Sequence, residues 1–219
     1  MLGILLMNKP LIMIGSGGHA SVLMDSLKLS GERVIAYISP NKNTRNQMFE
    51  KIQHLSNDED INQFNPDEVL LVNGIGSMPK HHNRENVATF FTKLGFSFTS
   101  VISPLAIVSP SSRLARGVQV MHGAIIQAGA CIGEGSIINT GAIIEHDCVV
   151  GSNNHIAPRA TLCGGVQTHN NVHVGVHACV IQGVNIGDNV IVGAGATVTK
   201  NIEDKTIVYG HRALIIKKE

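Results

Sequence analysis

The 219-residue chain has no tryptophan, two tyrosines and six phenylalanines, too few rings to build a base-stacking platform for nucleic acid. Charge is sparse as well. Seventeen Lys and Arg against sixteen Asp and Glu leave a net charge of +1, which gives no electrostatic case for DNA, RNA or an anionic membrane surface. The four cysteines, Cys131, Cys148, Cys163 and Cys179, form no Cys-x-x-Cys pair, and no two differ by eighteen. They read as small, buried, reduced thiols rather than a zinc knuckle or a disulfide framework. Long apolar runs are missing too. Met1–Met7 is apolar but short, lacks a basic start and a small-residue cleavage site, and runs straight into Asn8-Lys9-Pro10. That excludes a signal peptide or membrane span there, makes Met7 an alternative start, and sets the expected location as cytoplasmic.

What is present is a period of six. From Ile102 the sixth residues read Ile102, Val108, Leu114, Val120, Ile126, Ile132, Ile138, Ile144, Val150, Ile156, Leu162, Thr168, Val174, Val180, Ile186, Val192 and Val198. Only Thr168 is not aliphatic. Four positions after each, the residue is usually small, as in Ala124, Ala130, Ser136, Ala142, Cys148, Ala160 and Ala178. Neither a helix nor an alternating strand has this period. A solenoid does, because each repeat buries its apolar edge only by stacking on its neighbours. Three hexads make a triangular turn of eighteen residues, so residues 102–219 are expected to form a parallel β-helix of between five and six turns with a C-terminal tail.

Residues 8–101 read as a small α/β Rossmann-like domain with strands at Pro10–Ile14, Val34–Ile38, Phe49–Leu55 and Glu68–Val72. Helices are expected over Ala20–Leu29, Asp58–Phe64 and residues 80–94. Gly15-Ser-Gly-Gly-His19 closes a strand and opens a helix, a place where free N–H groups favour a phosphate. It is not a dinucleotide fingerprint: Ala20 stands where the third glycine belongs, and Ser39-Pro40 stand where an acidic residue would end the second strand. A nucleotide diphosphate is the expected ligand, with Gly74 and Ser77 ending another strand beside the same crevice.

Six histidines lie in the repeat: His122, His146, His155, His169, His173 and His177. His146 is followed by Asp147, and Gly164 stands one turn on in the same column. His155 stands one turn below His173. Neighbouring residues on a strand point opposite ways, so His-Asp adjacency alone is weak evidence of contact. His122, His169 and His177 read as surface or corner residues.

Gly15-Ser-Gly-Gly-His19, Val72-Asn-Gly74-Ile-Gly, Asn139-Thr140 with Ile144-Glu-His146-Asp147, and Asn154-His155-Ile156 together resemble bacterial hexapeptide-repeat acetyltransferases of nucleotide-activated amino sugars. These include UDP-N-acetylbacillosamine N-acetyltransferases and the related sialic acid O-acetyltransferases. The resemblance runs from about residue 10 to 216. It implies a left-handed winding, which spacing alone does not fix, and a homotrimer with acetyl-CoA between adjacent solenoids and no metal. It also implies roles by position. His146 is the general base, Asp147 its carboxylate partner, and the Gly164 N–H the oxyanion donor. His155, Val176 and Ala194 fall on the acetyl-CoA side, and Gly17, Gly18, His19 and Gly74 bind the acceptor, expected to be UDP-linked. The chain departs from the pattern at Ser39-Pro40, where acidic residues are common, and in Val208-Tyr-Gly210-His-Arg-Ala, which lacks a common proline.

The reaction so implied is direct attack of a sugar amine on the thioester. Cys148, two residues from His146, offers a cysteine-acyl alternative, set against its buried corner position. Three other functions compete: O-acetylation of a sialic acid-type sugar, a γ-carbonic-anhydrase-like hydratase with metal on His169, His173 and His177, and a non-enzymatic sugar-nucleotide sensor.

Overall fold

The computed structural model of the chain describes residues 9–43, 46–79 and 81–211. The Met1–Met7 segment and the end of the C-terminal motif, from Arg212, lie outside these residues. The chain divides into two compact units, one of residues 1–106 with 115–122 and one of residues 107–114 with 123–219.

The first unit is built on β1 (Leu11–Ile14), α1 (Gly18–Leu29), β2 (Val34–Ile38), β3 (Gln53–Leu55), β4 (Leu70–Asn73) and α2 (Asn83–Lys93). Its sheet is parallel in the order β3-β2-β1-β4. All four residues of β1 are buried, as expected of a parallel strand covered on both faces. Helix α1 buries Ala20, Leu23, Met24 and Leu27, a stripe at helical spacing. The core gathers Ile12, Ile14, Ala36, Ile38, Leu71, Phe91 and Phe96. Because β2 and β4 flank β1 on opposite sides, the strand order reverses at β1, and a crevice opens at the carboxyl ends there. Two expectations shift. Gln47–Phe49 is a 3₁₀ turn in which Asn46 Oδ1 accepts the Met48 N–H at 3.0 Å, so β3 starts only at Gln53. Asp58–Gln63 is also 3₁₀. Val101–Ile102 and Gln119–Val120 pair in parallel within this unit.

The second unit is a left-handed parallel β-helix of two-residue strands. One face stacks Arg113–Leu114, Cys131–Ile132, Val149–Val150, Gln167–Thr168 and Asn185–Ile186. The second stacks Ile107–Val108, Ile125–Ile126, Ile143–Ile144, Thr161–Leu162, Cys179–Val180 and Thr197–Val198. The third stacks Ile137–Ile138, His155–Ile156, His173–Val174, Ile191–Val192 and Ile207–Val208.

Partners differ by eighteen residues until the last turn, where Ile191 pairs with Ile207 and Ile186 with Ile202, a turn of sixteen. The hexad continues inside the corners. Every sixth residue from Gly117 to Gly195 has positive φ, including Asp147 at 58° and His177 at 55°. The residue that follows each, small as in Ala142, Cys148 and Ala160 or a valine as in Val166 and Val190, is buried. Thr168, the one break in the aliphatic column, accepts from Asn154 Nδ2 at 2.7 Å. Asn154 Oδ1 accepts the Val172 N–H at 2.7 Å, and its own N–H donates to Ser136 Oγ at 2.9 Å. These polar residues satisfy one another inside the prism, as buried polar groups must.

Candidate active site

Asp147 is a corner residue in the left-handed region, which acidic and amide side chains tolerate better than most. The bend removes the strand alternation that argued against a His-Asp contact. His146 Nδ1–H donates to Asp147 Oδ2 at 2.9 Å, and both side chains are exposed, 65 % and 74 %. Gly129 leaves the room: a Cβ there would overlap Asp147 Oδ1. With Nδ1 engaged as donor, Nε2 carries the lone pair.

Gly164, directly above, lies against that nitrogen. A Cβ on it would stand 2.5 Å from His146 Nε2. The ladder at this corner uses the neighbouring amides, Cys163 N–H to Val180 O at 2.9 Å and Gly165 N–H to His146 O at 2.9 Å. The Gly164 N–H makes no such bond among the described residues, and it stands beside a bare imidazole nitrogen.

Cys148 is buried next to this corner. Its thiol lies 3.2 Å from the carbonyl of Cys163, and burial pushes its pKa up to about 11. A thiol so protonated is a poor nucleophile.

His155 sits on the third face, its ring edge-on to His173 with centroids 4.9 Å apart. Asn139 Oδ1 accepts the Thr140 N–H at 2.7 Å, which turns its amide nitrogen toward His155 Nε2 at 2.9 Å. Asn139 therefore fixes the His155 ring, a role that its motif did not reveal. Val176 and Ala194 are exposed and stack at the corner between the second and third faces. His146 and Gly164 sit at the corner between the second and first. The structure thus brings His146, Asp147 and Gly164 together, and sets Val176 with Ala194 across the second face.

The three histidines of the metal reading do not converge. His169 Nδ1 lies 3.8 Å from Asp188, His173 packs on His155, and His177 is a positive-φ corner. Among the described residues, the group with metal-ligand spacing is His169, Asp188 and Asp204, two of them exposed, and it leaves out His173 and His177.

In the first unit Gly17 is the N-cap of α1, and neither Gly17 nor Gly18 has any atom within 4 Å of where a Cβ would stand. They open onto a cleft of about 390 Å³, lined also by Ser16, Ser21, Lys42 and Asn43. Ser39, in place of an acidic residue, accepts from Ser16 Oγ at 3.0 Å and donates to Asn41 O at 2.6 Å. Gly74 is required by packing, since a Cβ there would be 2.6 Å from Ile14 O. His19 is mostly buried and donates from Nε2 to Gln119 Oε1 at 2.8 Å.

Residues 10–89 match the family described as the PglD N-terminal domain. No curated protein matches the chain. Among solved structures, PerB from Caulobacter crescentus, in complex with CoA and GDP-perosamine, is 36 % identical over 92 % of this chain and 94 % of its own, with a TM-score of 0.83. The chain belongs to the hexapeptide-repeat acetyltransferases of nucleotide-activated amino sugars. The acetyltransferase domain of PglB from Neisseria gonorrhoeae, in complex with acetyl coenzyme A, is 28 % identical over 93 % of this chain and 97 % of its own, also at 0.83. WeeI from Acinetobacter baumannii, 21 % identical over 91 % and 96 % with a TM-score of 0.63, shares the fold. As a member of this family the chain is an enzyme, a sugar N-acetyltransferase. No helix among the described residues is long and apolar enough to cross a membrane.

Proposed function

We propose that the protein transfers the acetyl group of acetyl-CoA to the amine of a nucleotide-activated 4-amino-4,6-dideoxy sugar, with His146 as general base. The observation that carries this reading is the corner itself, where the Asp147 bond leaves His146 Nε2 bare beside Gly164. The sugar ammonium gives a proton to Nε2 and its nitrogen attacks the thioester carbon. The carbonyl oxygen becomes anionic, and the Gly164 N–H is the donor in reach, a contribution of about 3 kcal/mol in such sites. The C–S bond breaks, the amide forms, and the CoA sulfur leaves with a proton as free thiol. Cys148 takes no part.

The N-terminal unit holds the nucleotide at the Gly17–Gly18 turn. Val176 and Ala194 stand across the second face from His146, so a second copy of the chain is needed to bring a CoA-binding corner to the base. That supports a homotrimer with acetyl-CoA between copies, and gives His155 and Asn139 their place on the thioester side. The sequence reading favours a UDP-linked acceptor. A GDP-linked one is the second reading, supported by the higher identity to PerB, which was crystallised with GDP-perosamine.

The test is thiol release from acetyl-CoA with four acceptors: UDP-4-amino-4,6-dideoxy-N-acetylglucosamine, GDP-perosamine, dTDP-4-amino-4,6-dideoxyglucose and free sialic acid. Turnover is expected with one nucleotide amino sugar and its loss in His146→Ala. Turnover with sialic acid alone replaces N- by O-acetylation, and failure to bind CoA sinks acyl transfer altogether.

A further inference from the structure

We infer that Gln119 is a positioning residue: its amide holds His19 in the neutral tautomer protonated on Nε2, so that Nδ1 is a bare acceptor for a hydroxyl or amine N–H of the acceptor substrate. The inference rests on the proposed function for the identity of the substrate, but not for the state of the ring.

The orientations of these side chains are forced. The carbonyl of Asn73 can only accept. It accepts from Gln119 Nε2 at 2.8 Å and from Arg84 Nη1 at 2.9 Å. Arg84 also donates to Ile75 O at 2.7 Å, and Asn73 Nδ2 returns a bond to Arg84 O at 3.1 Å, so the lattice closes on itself. Gln119 and Asn73 are buried. With the Gln119 nitrogen committed to a carbonyl, its Oε1 must face His19. An amide oxygen has no proton to give, so the proton in the 2.8 Å contact belongs to His19 Nε2.

A second proton on Nδ1 would make the ring cationic. Burial opposes that most strongly, the Gln119 bond favours it, and the Arg84 charge opposes it, leaving a pKa of about 4. The ring is therefore neutral at neutral pH, and Nδ1 has no protein partner among the described residues.

The chemical consequence is selectivity of sign. A phosphate oxygen is an acceptor, and a bare imidazole nitrogen repels it. The resemblance puts His19 among the acceptor-binding residues; the tautomer narrows that role to reading a donor, with the Gly17–Gly18 turn taking the phosphates. On a nucleotide sugar that donor is a ribose hydroxyl or a hydroxyl or amine of the sugar. A pKa of about 4 also makes His19 a poor base, which separates its role from that of His146.

The primary test needs no substrate. Nitrogen NMR of the full-length protein, labelled at histidine and assigned with His19→Phe, is expected to show Nε2 protonated and Nδ1 bare from pH 5.5 to 8. An Nδ1–H tautomer or an imidazolium in that range would overturn the inference. Gln119→Met removes the lock at similar volume, and both tautomers are expected to appear.

The substrate arm uses His19→Phe, which keeps the ring volume. The acceptor KM is expected to rise about tenfold, the worth of one hydrogen bond, with the acetyl-CoA KM unchanged. An unchanged acceptor KM would overturn the role in recognition. Binding of the matching nucleoside diphosphate, its 2′,3′-dideoxy form and the full nucleotide sugar then finds the donor. Loss with the diphosphate but not its dideoxy form means a ribose hydroxyl, and loss with the nucleotide sugar alone means the sugar. Equal weakening of all three would overturn it, because neither a ribose hydroxyl nor the sugar is common to all three. If no acceptor of the panel turns over, the NMR result still decides the tautomer, so the two readings fail separately.

Discussion

Gly164 lies so close to His146 that a methyl group on its Cα would stand 2.5 Å from Nε2. Its φ is not in the left-handed region, so the backbone accepts alanine without strain. Gly164→Ala is therefore expected to fold normally and to displace the imidazole. Turnover should fall on the order of a hundredfold, the scale of a lost oxyanion or base contact. Normal thermal unfolding with that loss supports the corner as the catalytic centre; wild-type turnover would remove it.

The bond from His146 Nδ1–H to Asp147 Oδ2 separates two roles of Asp147, its charge and its corner conformation. Asn tolerates positive φ at least as well as Asp, and Asn153, Asn171 and Asn189 occupy equivalent corners. Asp147→Asn should then keep the melting temperature but lower kcat/KM by about tenfold or more, while His146→Ala loses at least about a hundredfold. A stable Asp147→Asn enzyme with full activity would mean that the carboxylate has no part in the chemistry.

Cys148 is sealed in the prism with its thiol pKa near 11. Cys148→Ala is expected to retain more than about a tenth of wild-type turnover, with the small deficit coming from packing. Mass spectrometry after mixing with acetyl-CoA alone should find no acetylated Cys148. A folded, dead Cys148→Ala enzyme would restore the cysteine-acyl scheme.

Acid should destabilise the protein through buried imidazoles. His19 is lowered from 6.5 to about 4, chiefly by burial, and burial also lowers His173. In the unfolded chain these rings take up protons near pH 6.5, which the folded state refuses until about pH 4 in the case of His19. Stability is thus complete above the unfolded value and is lost as pH falls from there. The His19 share is at most about 3 kcal/mol. Urea unfolding between pH 4 and 7 measures it, and the slope should flatten in His19→Phe. A pH-independent midpoint would show that the ring is not desolvated.

The period of six made the prism legible because, Thr168 apart, one interior column is aliphatic, and the buried position four later is mostly small or valine. The corner conformation was partly hidden. Glycine marks some positive-φ sites, but Asp147, Asn153, Arg159, Asn171, His177 and Asn189 occupy the same backbone shape without announcing it. That is why a rule for strands misjudged His146 and Asp147, which lie on a bend. The lattice of His19, Asn73, Arg84 and Gln119 was not legible at all. Its members are up to 100 residues apart, and nothing in the local sequence of Gln119 distinguishes a buried amide from a surface one. Thr168 was visible only as a break in the aliphatic column and Ser136 only as a small residue, although with Asn154 they form one internal network.

The final turn of sixteen residues moves the last positive-φ corner to Lys205, two positions ahead of the frame kept from Gly117 to Gly195. A stack of eighteen-residue storeys could grow by whole storeys indefinitely, since each roof is a floor for the next. The shortened turn changes the frame in sequence but not in space: Lys205 N–H still donates to Asp188 O at 2.8 Å, as Asn189 N–H does to Asn170 O one storey earlier, and Ile207 still pairs with Ile191. The two residues are lost between Val198 and Ile202, so one side of a storey can shorten while the strands it joins stay paired with those beneath.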